Sequence, residues 1–198
     1  MFRKLSAKVL VFVMLLAPVT IALTWKAKSL EKKLFGRSDE MRLMNKQAPE
    51  FKLMTLTGDQ ISSSDYRGKK KLVVSFWASW CGPCRMELPE LQAFYEKYHS
   101  KNDSFEILAI STDEDPHEAE RYVKEAKLTF PVLWDQDGKA GEAYGVDGIP
   151  TLFVIDESGR VIHAQAGYGF GLEFKLAQFL GIQPEFKGTG NSHADTSD

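Results

Sequence analysis

The chain's two cysteines stand in one tetrapeptide, Cys81-Gly82-Pro83-Cys84. Three residues on in a helix is one turn along the same face, so one sulfur can attack a disulfide while the other resolves the mixed disulfide that forms. The segment before the pair, Leu72 to Trp77, is an apolar β-branched run that reads as a strand. After it, Leu88, Leu91, Tyr95 and Tyr98 recur at steps of three and four, as on one buried face of a helix. Cys81 therefore stands where a helix begins, against unpaired backbone N–H groups and the positive end of the dipole. Bringing a thiol from ~8.5 to about 7 is worth roughly 2 kcal/mol and gives a useful thiolate fraction at neutral pH. Pro83 suits the first turn, where its missing N–H costs little. Two inert cysteines or half a metal site are the competing readings. The aromatic run Phe76-Trp77-Ala78-Ser79-Trp80, leading straight into the pair, favours redox chemistry.

The elements that must position this pair follow from the rest of the pattern. Strands are expected at Phe51 to Leu56, Leu72 to Trp77, Phe105 to Ser111, Pro131 to Trp134, Thr151 to Asp156 and Val161 to Gln165. Helices are expected from Cys84 (with a kink at Pro89), from Asp115 to about Lys127, from Lys139 to Tyr144 and from Gly171 to Leu180. Asp115 is the expected N-cap of the second helix, with Pro116 in its first turn and Glu118 completing a capping box. Glu157-Ser158-Gly159-Arg160 reads as a hairpin turn. The alternation makes an α/β fold, a mixed central sheet with helices on both faces.

At 198 residues the chain has room for one domain plus appendages. Val9 to Trp25 are 17 positions without a charge, preceded by Arg3, Lys4 and Lys8. Residues 1–25 are thus expected to form a membrane anchor or an export signal, with the uncleaved anchor favoured because a cleavage site is poorly defined. Lys26, Lys28, Lys32 and Lys33 on the far flank leave orientation open by charge alone. Residues 26–45 read as a tether, and 185–198, rich in Gly, Ser, Thr and Asp, as a disordered tail. Residues 51–198 carry 15 basic and 23 acidic side chains, a balance that repels phosphate backbones and argues against nucleic acid as a partner. Two cysteines are too few for a disulfide scaffold, and without paired histidines nearby they do not make a closed zinc site. No metal and no cofactor beyond the dithiol is expected. His99, His117, His163, Lys69 to Lys71 and Ser111-Thr112-Asp113 carry no expected chemistry.

Taken together, Ala48-Pro49-Glu50-Phe51, Tyr66-Arg67-Gly68-Lys69, Trp80-Cys81-Gly82-Pro83-Cys84, Tyr144-Gly145-Val146 and Gly148-Ile149-Pro150-Thr151 resemble the thioredoxin superfamily. Within it, the chain is similar to the membrane-tethered TlpA/ResA/CcmG-like thiol-disulfide oxidoreductases. The resemblance spans roughly Gln47 to Ile182, and it implies a thioredoxin-like domain over 46–184 with an N-terminal β extension and an inserted helix-strand element, Asp115 to Trp134. It implies a cis-proline loop at Pro150 facing the dithiol, and a body in the periplasm or otherwise outside the cytoplasm, held at the inner membrane. Cys81 and Cys84 would be catalytic, with Trp80, Gly82, Pro83, Ile149 and Pro150 contacting substrate. Where cytoplasmic thioredoxins carry a buried Asp, this chain has Ser75, and Glu87 matches the acidic position of the ResA-like group. Glu87 would relay protons to Cys84; the competing reading is a solvated carboxylate that complements the helix dipole.

The reading is a tethered reductase of protein disulfides, such as apocytochrome c or mispaired cysteines, acting on cysteine-containing protein partners and recharged by a membrane electron donor. A dithiol oxidase or isomerase is the first alternative, and a non-catalytic chaperone or interaction domain the second. A peroxidatic Thr-x-x-Cys site is absent.

Overall fold

The computed structural model describes residues 42–183. Seven strands form one sheet: β1 (Lys52–Thr55), β2 (Gln60–Ser62), β3 (Lys71–Trp77), β4 (Phe105–Ser111), β5 (Val132–Trp134), β6 (Thr151–Ile155) and β7 (Val161–Ala166). Their order across the sheet is β2-β1-β5-β4-β3-β6-β7. β3, β4 and β5 run parallel to one another, whereas β1, β2, β6 and β7 add antiparallel margins. Among the described residues the α-helices are α1 (Cys84–Tyr98), α2 (Pro116–Ala126), α3 (Lys139–Tyr144) and α4 (Leu172–Leu180).

Strand periodicity explains the two layers. Successive side chains of β3 alternate between faces: Val73 and Trp77 join a core with Leu88, Leu91 and Phe94 of α1, Tyr122 of α2 and Leu176 of α4. Val74 and Phe76 point the other way, onto Tyr144 of α3 and Phe51 before β1. Both faces of the central strands are covered, which is why β3 and β4 read as mostly apolar runs, interrupted by Ser75 and Glu106. The expected mixed sheet, with the β1–β2 hairpin as N-terminal extension and α2–β5 as the insertion, is what forms. β5 closes the insertion by pairing with β4 on one side and β1 on the other.

Local chemistry departs from expectation in three places. β2 has no counterpart in the expected strands. At α2 the Asp115 carboxylate accepts from His117 N–H at 3.0 Å, but Glu118 pairs with Arg121 at 3.7 Å where a capping box was expected. Lys70 and Lys71 are more than a solvated turn: Lys70 pairs with Asp103, and Lys71 Nζ donates to the carbonyls of Phe179 and Leu180, 3.2 and 3.4 Å away at the end of α4. Residues 1–25, most of the tether 26–45 and the tail 185–198 fall outside the described residues. The tether's last part does not: Leu43 and Met44 pack against the second core layer, and Asn45 N–H donates to Val161 O at 2.9 Å. Among the described residues no helix is long and apolar enough to cross a membrane.

Candidate active site

The parallel pairing of β3 with β4 brings Trp77 opposite Ser111, so the loops leaving both strands rise side by side at their carboxyl ends. One of these loops carries Ala78-Ser79-Trp80 into the cysteine pair. Cys81 N–H donates to Ala78 O at 3.1 Å, Arg85 N–H donates back to Cys81 O at 3.1 Å, and α1 then runs unbroken through Pro89 to Tyr98.

Cys81 and Cys84 are joined as a disulfide at the start of α1. The Cys84 backbone N–H points at Cys81 Sγ, 3.2 Å away, one of the helix-start donors expected to favour a thiolate there. Cys84 is fully buried and Cys81 4% exposed, while Gly82 and Pro83 between them lie at the surface. Across from the disulfide, the Ile149–Pro150 peptide bond is cis, and Ile149 O stands 3.6 Å from Cys81 Sγ. Gly167 N–H donates to Pro150 O at 2.7 Å and ties this loop to the one after β7.

Of the two tryptophans, Trp77 is packed against Tyr122 with ring centroids 5.4 Å apart. Trp80 is 69% exposed. It borders an open groove of about 610 Å³ whose lining includes Ile149, Thr112, Asp135, Glu142 and Asp147. The expected recognition residues thus meet around Cys81, the more accessible of the two sulfurs.

Glu87 is not a solvated carboxylate. It is 1% exposed, because positions 84, 87, 88 and 91 all fall on the face of α1 that meets the sheet. Ser75 shares the β3 face of Val73 and Trp77, and its Oγ donates to Glu87 Oε1 at 2.7 Å. Oε2 has no hydrogen-bond partner. Burial pushes the Glu87 carboxyl up to about 7, with the Ser75 hydrogen bond opposing the rise and the neighbouring Glu90 adding to it. Glu90 in turn accepts a hydrogen bond from Tyr168. A group poised near neutrality can take or give a proton there, one turn along the helix from Cys84.

Sequence reasoning passed over Asp113. This buried carboxylate sits just beyond β4 and accepts from the backbone and side chain of Ser79, two residues before Cys81. Nothing in the local pattern of Ser111-Thr112-Asp113 announces it, since the contact exists only through the β3–β4 pairing. The described histidines have ordinary roles: His99 stacks on Tyr95, His163 stacks on Phe179, and His117 lies beside Glu120.

Comparison with known proteins agrees with this geometry. The AhpC/TSA family profile matches residues 44–164. Thiol-disulfide oxidoreductase ResA of Bacillus cereus is 37% identical over 133 residues, covering 67% of this chain and 75% of that one. ResA of Geobacillus kaustophilus is 39% identical over 114 residues, 58% of this chain and 64% of that one. Among solved structures, StoA from Bacillus subtilis superposes with a TM-score of 0.57 at 30% identity, over 67% of this chain and 96% of that one. A thiol:disulfide interchange protein of the thioredoxin family from Chlorobium tepidum gives a TM-score of 0.59 at 31% identity, over 68% and 94%. With a thioredoxin-like sheet, a cysteine pair at the head of α1 and relatives of this kind, the chain belongs to the AhpC/TSA family and is a thiol-disulfide oxidoreductase.

Proposed function

We propose that the chain is a membrane-tethered reductase of protein disulfides outside the cytoplasm, with Cys81 as the attacking sulfur and Cys84 as the resolving one. The observation that carries this reading is the disulfide at the head of α1, with Ile149 O 3.6 Å from Cys81 and the buried Glu87 one turn beyond Cys84. In the reduced protein, Cys81 as thiolate attacks a partner's disulfide, forming a mixed disulfide and releasing the partner's other sulfur. Cys84 must then lose its proton before it attacks, and a buried thiol gives it up reluctantly. Glu87 is the acceptor: its carboxylate form is substantially populated at neutral pH. Cys84 attacks Cys81 Sγ, the internal disulfide forms, and the partner leaves reduced.

Trp80, Gly82, Pro83, Ile149 and Pro150 are the contact surface for that partner. An extended segment of it can pair with the Ile149 backbone, which aligns its sulfur with Cys81. Disulfides in apocytochrome c or between mispaired cysteines are the substrates, and a membrane electron donor restores the dithiol. The Gly82-Pro83 pair, which resembles that of reducing thioredoxins, supports the reducing direction. The test is the reduction potential: we expect a value near the about −270 mV of reducing thioredoxins, whereas one near −120 mV would make the protein an oxidant.

A further inference from the structure

Asp113 is a buried carboxylate at the site that the exchange chemistry leaves unused. It is 2% exposed. Its oxygens accept from Ser79 N–H at 3.0 and 3.1 Å, from Ser79 Oγ at 2.8 Å and from Ser111 Oγ at 2.8 Å. Its own N–H donates to Ser111 Oγ at 3.1 Å, and its carbonyl accepts from Trp134 Nε1 at 2.8 Å. The adjacent Thr112 donates through its N–H and its hydroxyl to Trp77 O, at 2.8 and 3.1 Å. The segment between the end of β3 and Cys81 is only three residues long. Its middle residue is held by this carboxylate and its first by the Cys81 N–H. Taking a carboxylate out of water is costly unless hydrogen bonds replace the lost hydration, and here those bonds converge on the residues that carry Cys81.

We infer that Asp113 is a positioning residue for disulfide exchange, fixing Cys81 through Ser79 while α1 fixes Cys84. The inference rests on the roles assigned above to the two cysteines. In the resolving step the Cys84 thiolate attacks Cys81 Sγ. The Cys81–Cys84 bond forms as the bond to the partner breaks, and the partner sulfur leaves with the electron pair and takes up a proton. The chain's dithiol has then lost two electrons, and the partner's disulfide has gained them. Rate and equilibrium both depend on the effective concentration of one sulfur at the other, and that concentration falls when either end is loosely held. The inserted α2–β5 element supplies the outer support: Trp134 holds Asp113, and the Arg85 guanidinium of α1 stands 4.6 Å over the Tyr122 ring.

The test uses the full chain and Ellman's reagent, whose coloured thiolate is released first as Cys81 attacks and again as Cys84 resolves the adduct. In Asp113→Ala the second release should slow about tenfold while the first changes less than twofold. The reduction potential should rise by about 30 mV, the same tenfold for a two-electron couple. Asp113→Asn keeps an acceptor oxygen and lets the serine hydroxyls turn onto its amide, so it should return to within about threefold of wild type. Ser79→Ala, which removes only one hydroxyl bond, should slow the second release about threefold. If every folded variant keeps the wild-type second release and potential, whatever its melting temperature, Asp113 is only structural and the inference falls. Should Asp113→Ala fail to fold, Ser79→Ala decides alone by the same criterion. Release that persists in Cys81→Ser would instead overturn the assignment of the cysteines.

Discussion

Glu87 illustrates how one side chain ties stability to chemistry. Its carboxyl sits at about 7 in the folded protein, against an ordinary value of 4.5, because it is buried. The folded state therefore holds the proton over a pH range where the unfolded chain has released it. Stability contributed by the protonated form is full below about 4.5, falls as pH rises toward 7, and is lost above it. That difference amounts to about 3 kcal/mol. Glu87→Gln retains the size and can accept from Ser75 without ever ionising. The oxidised variant should match wild type near pH 4 and exceed it in stability at pH 8 by up to about 3 kcal/mol in denaturant titrations. Equal stabilities at both pH values would mean that the carboxyl titrates normally. In the reduced protein the same substitution should slow the resolving step and flatten its pH dependence, while Cys81 alkylation stays close to wild type.

Among the elements, those with strong periodicity were legible and those made by tertiary contact were not. β3 and β4 stand out as apolar runs and α1 as a stripe at steps of three and four, so the cysteine pair could be placed at a strand-to-helix junction from spacing alone. The stripe also passes through position 87, a signal that Glu87 shares the buried face; its identity as a carboxylate argued the other way. β2 is three residues long, two of them polar, and it exists only because β1 offers it a partner. Asp113 and Lys71 act across long separations, which no window along the chain contains.

Lys127 caps the C-terminus of α2 at φ 53°, a left-handed conformation that a residue with a Cβ adopts at a cost. Lys127→Gly should therefore stabilise the fold by about 0.5 to 1 kcal/mol, read as a higher urea midpoint with unchanged slope. A lower midpoint would show that the Lys127 side chain contributes more than its backbone strain costs.

At the scale of the molecule, the described domain supplies the exchange site, and the uncharged run Val9 to Trp25 is proposed to hold it at the membrane. Fractionation should leave the full chain with the membranes, and protease added from the periplasmic side should reach the region after residue 45. Full-length chain in the soluble cytoplasmic fraction would contradict the tether. The central claim is that Cys81 exchanges with a partner's disulfide and Cys84 frees the product, and covalent trapping tests it most directly. Reduced Cys84→Ala mixed with insulin should accumulate an adduct through Cys81 that dithiothreitol reverses, and wild type should turn over without accumulating one. An adduct that forms equally well in Cys81→Ala, or no adduct in Cys84→Ala, would contradict the account.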